Sequence, residues 1–266
     1  ISKTLGKIRN HVAAEIMYIK TAFLMALGVA IIRAQTEPAP TDKGEIIESC
    51  DKDVFLDVLI MLDHSQSISK ENIVIVRDAM KALVEQFVNV GNSNRTVKVA
   101  LITYNKNVTT ELLFNQSASS TKAGTLAAIE NMSMIRQRRS RVDLAFDYAN
   151  EVVFTPGGGD RPLAQNVLIH VTDGRILKAK IQAKTLKAGG ALNAREDKVN
   201  VVLLYIPSTL PTSDDDKPKL DNDRPRVIER KIPDEPKDRH FRSFKDINNM
   251  LPSIPDIARR ICAMTR

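Results

Sequence analysis

The stretch Asp57-Val58-Leu59-Ile60-Met61-Leu62-Asp63-His64-Ser65-Gln66-Ser67, residues 57–67, decides the fold. Its apolar run is unbroken and of strand length, which is typical of a strand buried on both faces of a sheet. The run ends at an aspartate, and residues 71–88 then show apolar side chains at helical spacing. A buried strand followed by an amphipathic helix is the repeating unit of parallel sheets.

The same pattern recurs along the chain. The connection over 105–107 is so short that the strand after it must run antiparallel to the strand before it. Two glycines at 189 and 190 are expected to end the helix that precedes them. The sequence therefore predicts an α/β fold with an open, mostly parallel sheet, helices on both faces and one antiparallel edge strand. The predicted strands are 57–62, 97–104, 108–114, 166–172 and 200–206, the predicted helices are 71–88, 121–132, 142–153 and 178–188, and the tail over 244–263 is partly helical.

Composition excludes several classes of protein. Of 266 residues, 43% are hydrophobic and 27% are charged, which is ordinary globular usage and argues against a disordered or fibrous chain. The formal charge is +7, but residues 1–34 hold five Lys/Arg and one Glu, and so account for +4 of it. The remaining bias is too weak to predict a nucleic-acid partner.

The N-terminal region has the pattern of a targeting signal. Met17 and a lysine precede an apolar run over 21–32, and Ala34 offers a small residue for cleavage. The alternative is a membrane anchor, for which the run is short against the ~20 residues that a span needs. We expect an upstream segment and signal peptide over 1–34, a linker over 35–49, a folded domain over 50–266, secretion to the extracellular matrix, and no membrane span in the mature chain.

Secretion predicts two kinds of covalent modification. Cys50 and Cys262 bracket the folded region and would form a disulfide bond in an oxidising compartment. The alternative is two unrelated buried thiols. Glycosylation is expected at Asn-x-Ser/Thr sequons, which cluster in one region rich in turn residues. The four sequons begin at Asn94, Asn107, Asn115 and Asn131.

Two aspartates follow predicted strands and reach the same edge of the sheet. Asp63 ends the first strand and Asp173 follows the strand over 166–172. Ser65 and Ser67 complete an Asp-x-Ser-x-Ser motif with Asp63. Carboxylates and hydroxyls are hard oxygen ligands, suited to Mg²⁺, and also to Ca²⁺ or Mn²⁺. Water and a carboxylate from a binding partner would fill the remaining positions.

Residues 208–239 interrupt the alternating pattern. They hold nine Asp/Glu, eight Lys/Arg and five Pro, which predicts an exposed insertion that buries no core. Its acidic clusters at 214–216 and 221–223 lack the spacing of a calcium loop, and solvated charge is the favoured interpretation.

From Cys50 to Cys262 the chain resembles a von Willebrand factor type A domain, in the segments DVLIMLDHSQSIS, VALITYN and VLIHVTDG. The resemblance implies a metal-ion-dependent adhesion site at Asp63, Ser65, Ser67 and Asp173, and a terminal disulfide. In the family, a glycine pair and a Thr-x-Thr segment supply the next loop. Here Arg138 and Arg139 replace the glycines, and Ser140 replaces the first threonine. Ser140 keeps a hydroxyl for the metal, and the arginines would steer an acidic ligand.

The resemblance implies a secreted matrix or adhesion protein that binds a protein or acidic ligand through its metal. The alternative is a metal-independent structural matrix protein, associated with a biomineral, whose basic run over 136–141 binds a sulfated, anionic glycan. Catalysis is not expected. No Gly-x-Gly-x-x-Gly or Walker loop follows the first strand, and His64 and His170 are interpreted as a loop side chain and a core strand residue.

Overall fold

The computed structural model describes residues 54–176, 178–209, 231–233 and 236–265. Within them, six strands form one sheet. The strands are β1 (Leu56–Asp63), β2 (Val97–Tyr104), β3 (Val108–Leu112), β4 (Gln165–Thr172), β5 (Val199–Tyr205) and β6 (Phe241–Ser243). Their order across the sheet is β3-β2-β1-β4-β5-β6, and only the β2–β3 pair is antiparallel. This confirms the predicted fold class.

Helices cover both faces of the sheet. They are α1 (Lys70–Gln86), α2 (Lys122–Glu130), α3 (Val142–Tyr148), α4 (Ala179–Asn193), α5 (Lys237–His240) and α6 (Ile254–Cys262). Helices α1, α2 and α6 pack on one face and α3 and α4 on the other, and each group belongs to its own hydrophobic cluster. The central strand β1 contributes side chains to both clusters, because successive side chains of a strand point to opposite faces.

Helix α1 begins where its sequence provides a cap. The Ser69 hydroxyl accepts a hydrogen bond from the backbone N–H of Asn72, which satisfies one of the free donors at the helix start. Its apolar face, including Ile73, Met80 and Leu83, is buried against β1 and its neighbours. Burial of each such side chain stabilises the fold by about 1.5–3 kcal/mol. This packing fixes the loop between β1 and α1.

Helix α4 corrects one prediction. It does not end at the glycine pair but continues through Gly189 and Gly190 to Asn193. A Cβ on Gly189 would lie 2.7 Å from a side-chain carbon of Ile232, so glycine lets Ile232 pack directly against the helix. Close approach, rather than a helix stop, explains Gly189. The predicted helix over 142–153 is also irregular, since α3 ends at Tyr148 and a π-turn continues to Val153.

The ends of the predicted insertion pack on the domain, which corrects the expectation that 208–239 buries no core. Ile232 is 3% exposed and belongs to the cluster beneath α4. Pro233, the next residue, is also buried. The backbone N–H of Thr209 donates to the carbonyl of Ser67, 2.8 Å away. The acidic clusters at 214–216 and 221–223 lie outside the described residues.

At the amino-terminal ends of the parallel strands, an ion pair that the sequence did not reveal holds the loop before β4 against the sheet. Arg161 donates from its backbone N–H and its Nε to the two carboxylate oxygens of Asp57, at 2.6 and 2.8 Å. The same guanidinium donates to the carbonyls of Leu56 and Thr96 and lies over the ring of Phe55. Asp57 is fully buried, so this network ties the loop before β4 to the sheet.

Several predictions concern residues 1–49, which lie outside the described residues together with Cys50. The signal peptide, the linker and the pairing of Cys50 with Cys262 therefore stay predictions. Cys262, at the end of α6, is a half-cystine. In the part of the chain that the structure describes, no helix is long and apolar enough to cross a membrane.

Candidate metal centre

Asp63 is the centre of a hydrogen-bonded cluster at the carboxyl end of β1. Its Oδ1 accepts from the backbone N–H of Ser65 at 2.8 Å, within the turn that leaves the strand. Its Oδ2 accepts from the hydroxyl of Ser140 at 3.1 Å and from the hydroxyl of Thr172 at 2.8 Å. Three separate segments of the chain therefore converge on one carboxylate.

The hydroxyl groups of the two serines in the motif lie next to each other. The hydroxyls of Ser65 and Ser67 lie 2.8 Å apart, and both residues are buried. The carbonyl of Ser67 accepts from the hydroxyl and the backbone N–H of Thr209 at 2.9 and 2.8 Å. The residues just after β5 thus brace the turn that carries both serines.

The loop before α3 is fastened along the Asp-x-Ser-x-Ser turn, and this brings Ser140 to Asp63. Gln66 donates its backbone N–H to the carbonyl of Gln137 at 3.1 Å, and Gln137 donates to the carbonyl of His64 at 3.3 Å. Arg136 adds a side-chain hydrogen bond to the carbonyl of Gln66 at 2.8 Å. These bonds make a short parallel bridge between the two loops.

Asp173, directly after β4, carries an acceptor with no partner. The side chain is fully buried, and its Oδ1 accepts from the backbone N–H of Arg175 at 3.2 Å. Its Oδ2 has no hydrogen-bond partner among the described residues. A buried polar atom without a partner is costly, so this oxygen is an available acceptor for an ion or a water molecule.

Burial and a second carboxylate make the ionised form of Asp63 unfavourable. Burial is the larger cause, the negative charge of Asp173 adds to it, and together they raise the pKa of Asp63 from 3.8 to about 6. Hydrogen bonds from Ser65 and Thr172 act in the opposite direction. A divalent cation between the two carboxylates would remove both penalties, because it favours their charged forms.

The donor set fits a hard cation. It offers two carboxylates and several hydroxyls, all oxygen ligands, which suits Mg²⁺, Ca²⁺ or Mn²⁺. The described residues hold no group of three or more His, Cys, Asp or Glu side chains that could bind a metal without hydroxyls. Ser65, Ser67 and Ser140 would therefore have to take part in holding the ion.

Hydrogen bonds link four of the five predicted metal ligands, Asp63, Ser65, Ser67 and Ser140, and the charge of Asp173, the fifth, acts on Asp63. Sequence reasoning missed the direct role of Thr172, although its signal was present, since Thr172 ends β4 next to Asp63 on β1. The two predicted steering residues, Arg138 and Arg139, are exposed. Arg139 has a backbone φ of 86°, a conformation that glycine adopts without strain.

The two histidines and the four sequon asparagines that the sequence analysis singled out do not belong to the cluster. His170 packs in the core as predicted, with its Nε2 2.6 Å from the hydroxyl of Tyr104, and burial lowers its pKa to about 3. His64 belongs to the loop after β1 but is buried, and burial lowers its pKa to about 4. The four sequon asparagines are exposed, a surface position that glycosylation requires. They are Asn94, Asn107, Asn115 and Asn131.

The fold and the convergent site define a von Willebrand factor type A domain, and the family model for that domain matches residues 57–256. The chain belongs to this family, as its sequence predicts. Human matrilin-1 is 30% identical over 154 residues, which is 55% of this chain and 30% of matrilin-1, and bovine matrilin-1 matches over the same length. The chain thus covers less than a third of these curated relatives.

Solved structures share the fold at low sequence identity. Proximal thread matrix protein 1 from the mussel byssus superposes with a TM-score of 0.65 at 19% identity, over 80% of this chain and 49% of that one. A further structure of that protein has a zinc-occupied MIDAS motif. The manganese-loaded TRAP protein of Plasmodium vivax gives a TM-score of 0.57 at 17% identity, over 78% of this chain and 75% of that one.

Proposed function

We propose that the cluster around Asp63 binds one divalent cation, Mg²⁺ in the first instance, and that the domain uses it to hold an acidic residue of an extracellular matrix partner. Asp63, Ser65, Ser67, Ser140 and Asp173 would hold the ion, directly or through water. The observation that carries the proposal is the unpartnered, buried Oδ2 of Asp173 beside a second buried carboxylate. The bound ion would supply a positive centre with an open position for a partner's carboxylate.

The chain's own residues orient this site. Ser140 and Thr172 donate to one oxygen of Asp63 and so fix the rotation of its carboxylate. The N–H of Ser65 fixes the other oxygen. Arg138 and Arg139 are exposed on the adjoining loop, where their charge would speed the approach of an anionic partner and make the rate dependent on salt.

Binding, rather than catalysis, agrees with the groups near Ser65. Its hydroxyl lies against that of Ser67, so its described contact is a second hydroxyl and not a general base. Neighbouring His64 is buried, and burial lowers its pKa to about 4, so its ring is a weak base. Matrix and adhesion relatives of this kind support the same interpretation.

Secretion, oxidation and glycosylation belong to the same proposal. The mature chain would begin near Gln35, join Cys50 to Cys262 and carry N-glycans on exposed sequons. Support comes from the half-cystine state of Cys262 and from the extracellular relatives. Peptide mapping without reduction, and intact mass before and after deglycosylation, test these points on protein from the culture medium.

The metal-independent alternative rests on the exposure of the arginine loop. Two of its basic side chains are engaged inside the domain, Arg136 with the carbonyl of Gln66 and Arg141 with the carboxylate of Asp143. Only Arg138 and Arg139 remain exposed for a glycan or a mineral surface. Two guanidinium groups make a small site for a polyanion, so the metal site is the better supported function.

Calorimetric titration of the full chain with Mg²⁺, Mn²⁺ and Ca²⁺ tests the metal proposal. Wild type should bind one equivalent, and Asp63→Ala should remove the heat while leaving the circular dichroism spectrum unchanged. Asp147→Ala is a matched control, since Asp147 is an exposed carboxylate on α3. Equal heats in wild type and Asp63→Ala would show that the cluster is not the metal site.

A further inference from the structure

The outer face of α4 carries a row of positive charge that pairs with no carboxylate of the described residues. Between Asp173 and Glu196 the chain has six basic residues and no acidic one. Three of the six, Lys180, Lys184 and Lys187, recur at intervals of four and three residues, so they share one face of the helix. All three are exposed. We call these three residues the lysine row.

Nothing in the described part of the domain neutralises the lysine row. No carboxylate of the described residues lies within ion-pair distance of any of the three ammonium groups, although other surface cations are paired, as Lys81 is with Glu130. Like charges at i and i+4 repel and weaken a helix. Among the described residues, no ion pair therefore offsets this repulsion, which points to an external partner for the charge.

The surface beside the lysine row is small and neutral. Ala183, Gly190 and Ala191 are exposed on the same side of α4. Gly190 has no internal reason to be glycine, because a Cβ there would meet no atom within 4 Å. Its neighbour Gly189, by contrast, is required by Ile232. A glycine without a side chain on an open helix face allows a partner to approach the backbone closely.

The composition of this face indicates the chemistry of the partner. The exposed large hydrophobic residues of the described chain all lie on other elements, so α4 offers no apolar anchor of the kind that protein interfaces use. The outer face of α4 also has no aromatic ring on which a nucleic-acid base could stack. What remains is a straight row of ammonium groups spanning about 10 Å along the helix axis. Such a row matches a linear polyanion that is held mainly by charge and whose backbone fits the open surface at Gly190.

We propose that the lysine row binds a linear sulfated polysaccharide along α4. Sulfate groups along the chain would contact Lys180, Lys184 and Lys187 in turn, and the gap at Gly190 would admit the sugar backbone. This site is separate from the arginine loop and needs no metal ion. It gives the domain a second matrix contact on the flank of the sheet.

Fluorescence anisotropy with a labelled heparin fragment of fixed length, in EDTA, tests the proposal. The triple variant K180Q/K184Q/K187Q should bind at least about tenfold more weakly than wild type, with a shallower dependence on salt. The control K70Q/K106Q/K245Q removes the same charge from scattered exposed lysines and should change affinity less than about threefold. Equal loss in both triples, or no heparin binding by wild type at low salt, would overturn the proposal.

Four further measurements separate this site from its competitors. Gly190→Leu should weaken heparin binding severalfold without lowering the melting temperature, because the side chain fills open space. Asp63→Ala should leave heparin binding unchanged, so the two proposals can fail independently. Polyglutamate of equal charge should bind more weakly than heparin. Equal binding of polyglutamate would show that the ligand need not be a sulfated polysaccharide. Loss of heparin binding only in R138Q/R139Q would place the binding site on the arginine loop and not on α4.

Discussion

Thr172 donates a 2.8 Å hydrogen bond to the Oδ2 of Asp63, joining the last residue of β4 to the last residue of β1. The Thr172 hydroxyl also accepts from the backbone N–H of Gly174 at 3.0 Å. One buried hydroxyl therefore orients the central carboxylate and shapes the turn that carries Asp173. The hydroxyl thus orients a proposed metal ligand, which a motif search centred on Asp-x-Ser-x-Ser does not reveal.

Thr172→Val should weaken both the fold and the metal site. Valine keeps the shape and strand preference of threonine but leaves the N–H of Gly174 and one oxygen of Asp63 without this partner. The loss of a buried hydrogen bond to a charged group should lower the free energy of unfolding by about 1–3 kcal/mol. Urea unfolding with and without Mg²⁺ measures both effects. Thr109→Val, on the exposed side of β3, is the matched control and should be nearly silent.

Ser140→Ala should lower Mg²⁺ affinity by roughly tenfold, less than Asp63→Ala, because it removes one neutral oxygen and a hydrogen bond rather than a charge. Ser140→Thr should retain binding, since the hydroxyl is kept. Calorimetry of the three variants under one condition gives the order of affinities. If Ser140→Ala bound Mg²⁺ as wild type does, the loop before α3 would not reach the ion.

Arg139→Gly should stabilise the domain. A non-glycine residue at φ 86° is strained, and relief of that strain is worth on the order of 1 kcal/mol, partly offset by the greater freedom of glycine in the unfolded chain. The neighbouring Arg138→Gly removes the same charge without a positive φ, and should be neutral or destabilising. The urea midpoint of Arg139→Gly should therefore rise, whereas that of Arg138→Gly should stay constant or fall. An equal rise of both urea midpoints would mean that loss of the positive charge, and not relief of backbone strain, stabilises the domain.

Asp160→Asn should change how stability depends on pH. Burial, with the negative charges of Asp57 and Asp197, raises the pKa of Asp160 to about 7. Because the folded state then holds a proton that the unfolded state releases, this group's contribution to stability is present below about pH 4 and is lost as pH rises to about 7. The loss amounts to at most about 1.4 kcal/mol per pH unit.

Two buried histidines make stability rise with pH, opposite to the effect of Asp160. The quantity to measure is therefore the difference in stability between Asp160→Asn and wild type at each pH. Burial lowers the pKa values of His64 and His170 to about 4 and about 3, and their neutral forms favour folding as pH rises toward 6.5. In EDTA, the stability of Asp160→Asn minus that of wild type should grow between pH 4 and 7. Asp147→Asn, at an exposed site, should show a flat difference. A flat difference for Asp160→Asn would mean that Asp160 is ionised throughout.

The sequence predicted the sheet and the convergence of the site because both follow from local patterns. Apolar runs ending in Asp63 and Asp173 specify buried parallel strands, and parallel strands deliver their ends to one edge. What it did not predict depends on contacts between distant segments. Arg161 binds Asp57 at the amino-terminal end of β1, and Ile232 packs on α4 from a segment whose composition indicated exposure. Neither contact leaves a periodic signal in the chain.

The glycine pair of α4 provides the sharpest test of this packing, because adjacent identical substitutions should have opposite effects. Gly189→Ala places a methyl group 2.7 Å from a carbon of Ile232, and the forced displacement should cost about 1–3 kcal/mol. Gly190→Ala meets no atom within 4 Å and should stabilise the helix by about 0.5–1 kcal/mol. Ile232→Val should partly rescue Gly189→Ala, since it removes a methyl group from the crowded side. Urea unfolding of the two single variants and the double variant measures the coupling, and destabilisation by both alanines would mean that α4 does not continue past residue 189.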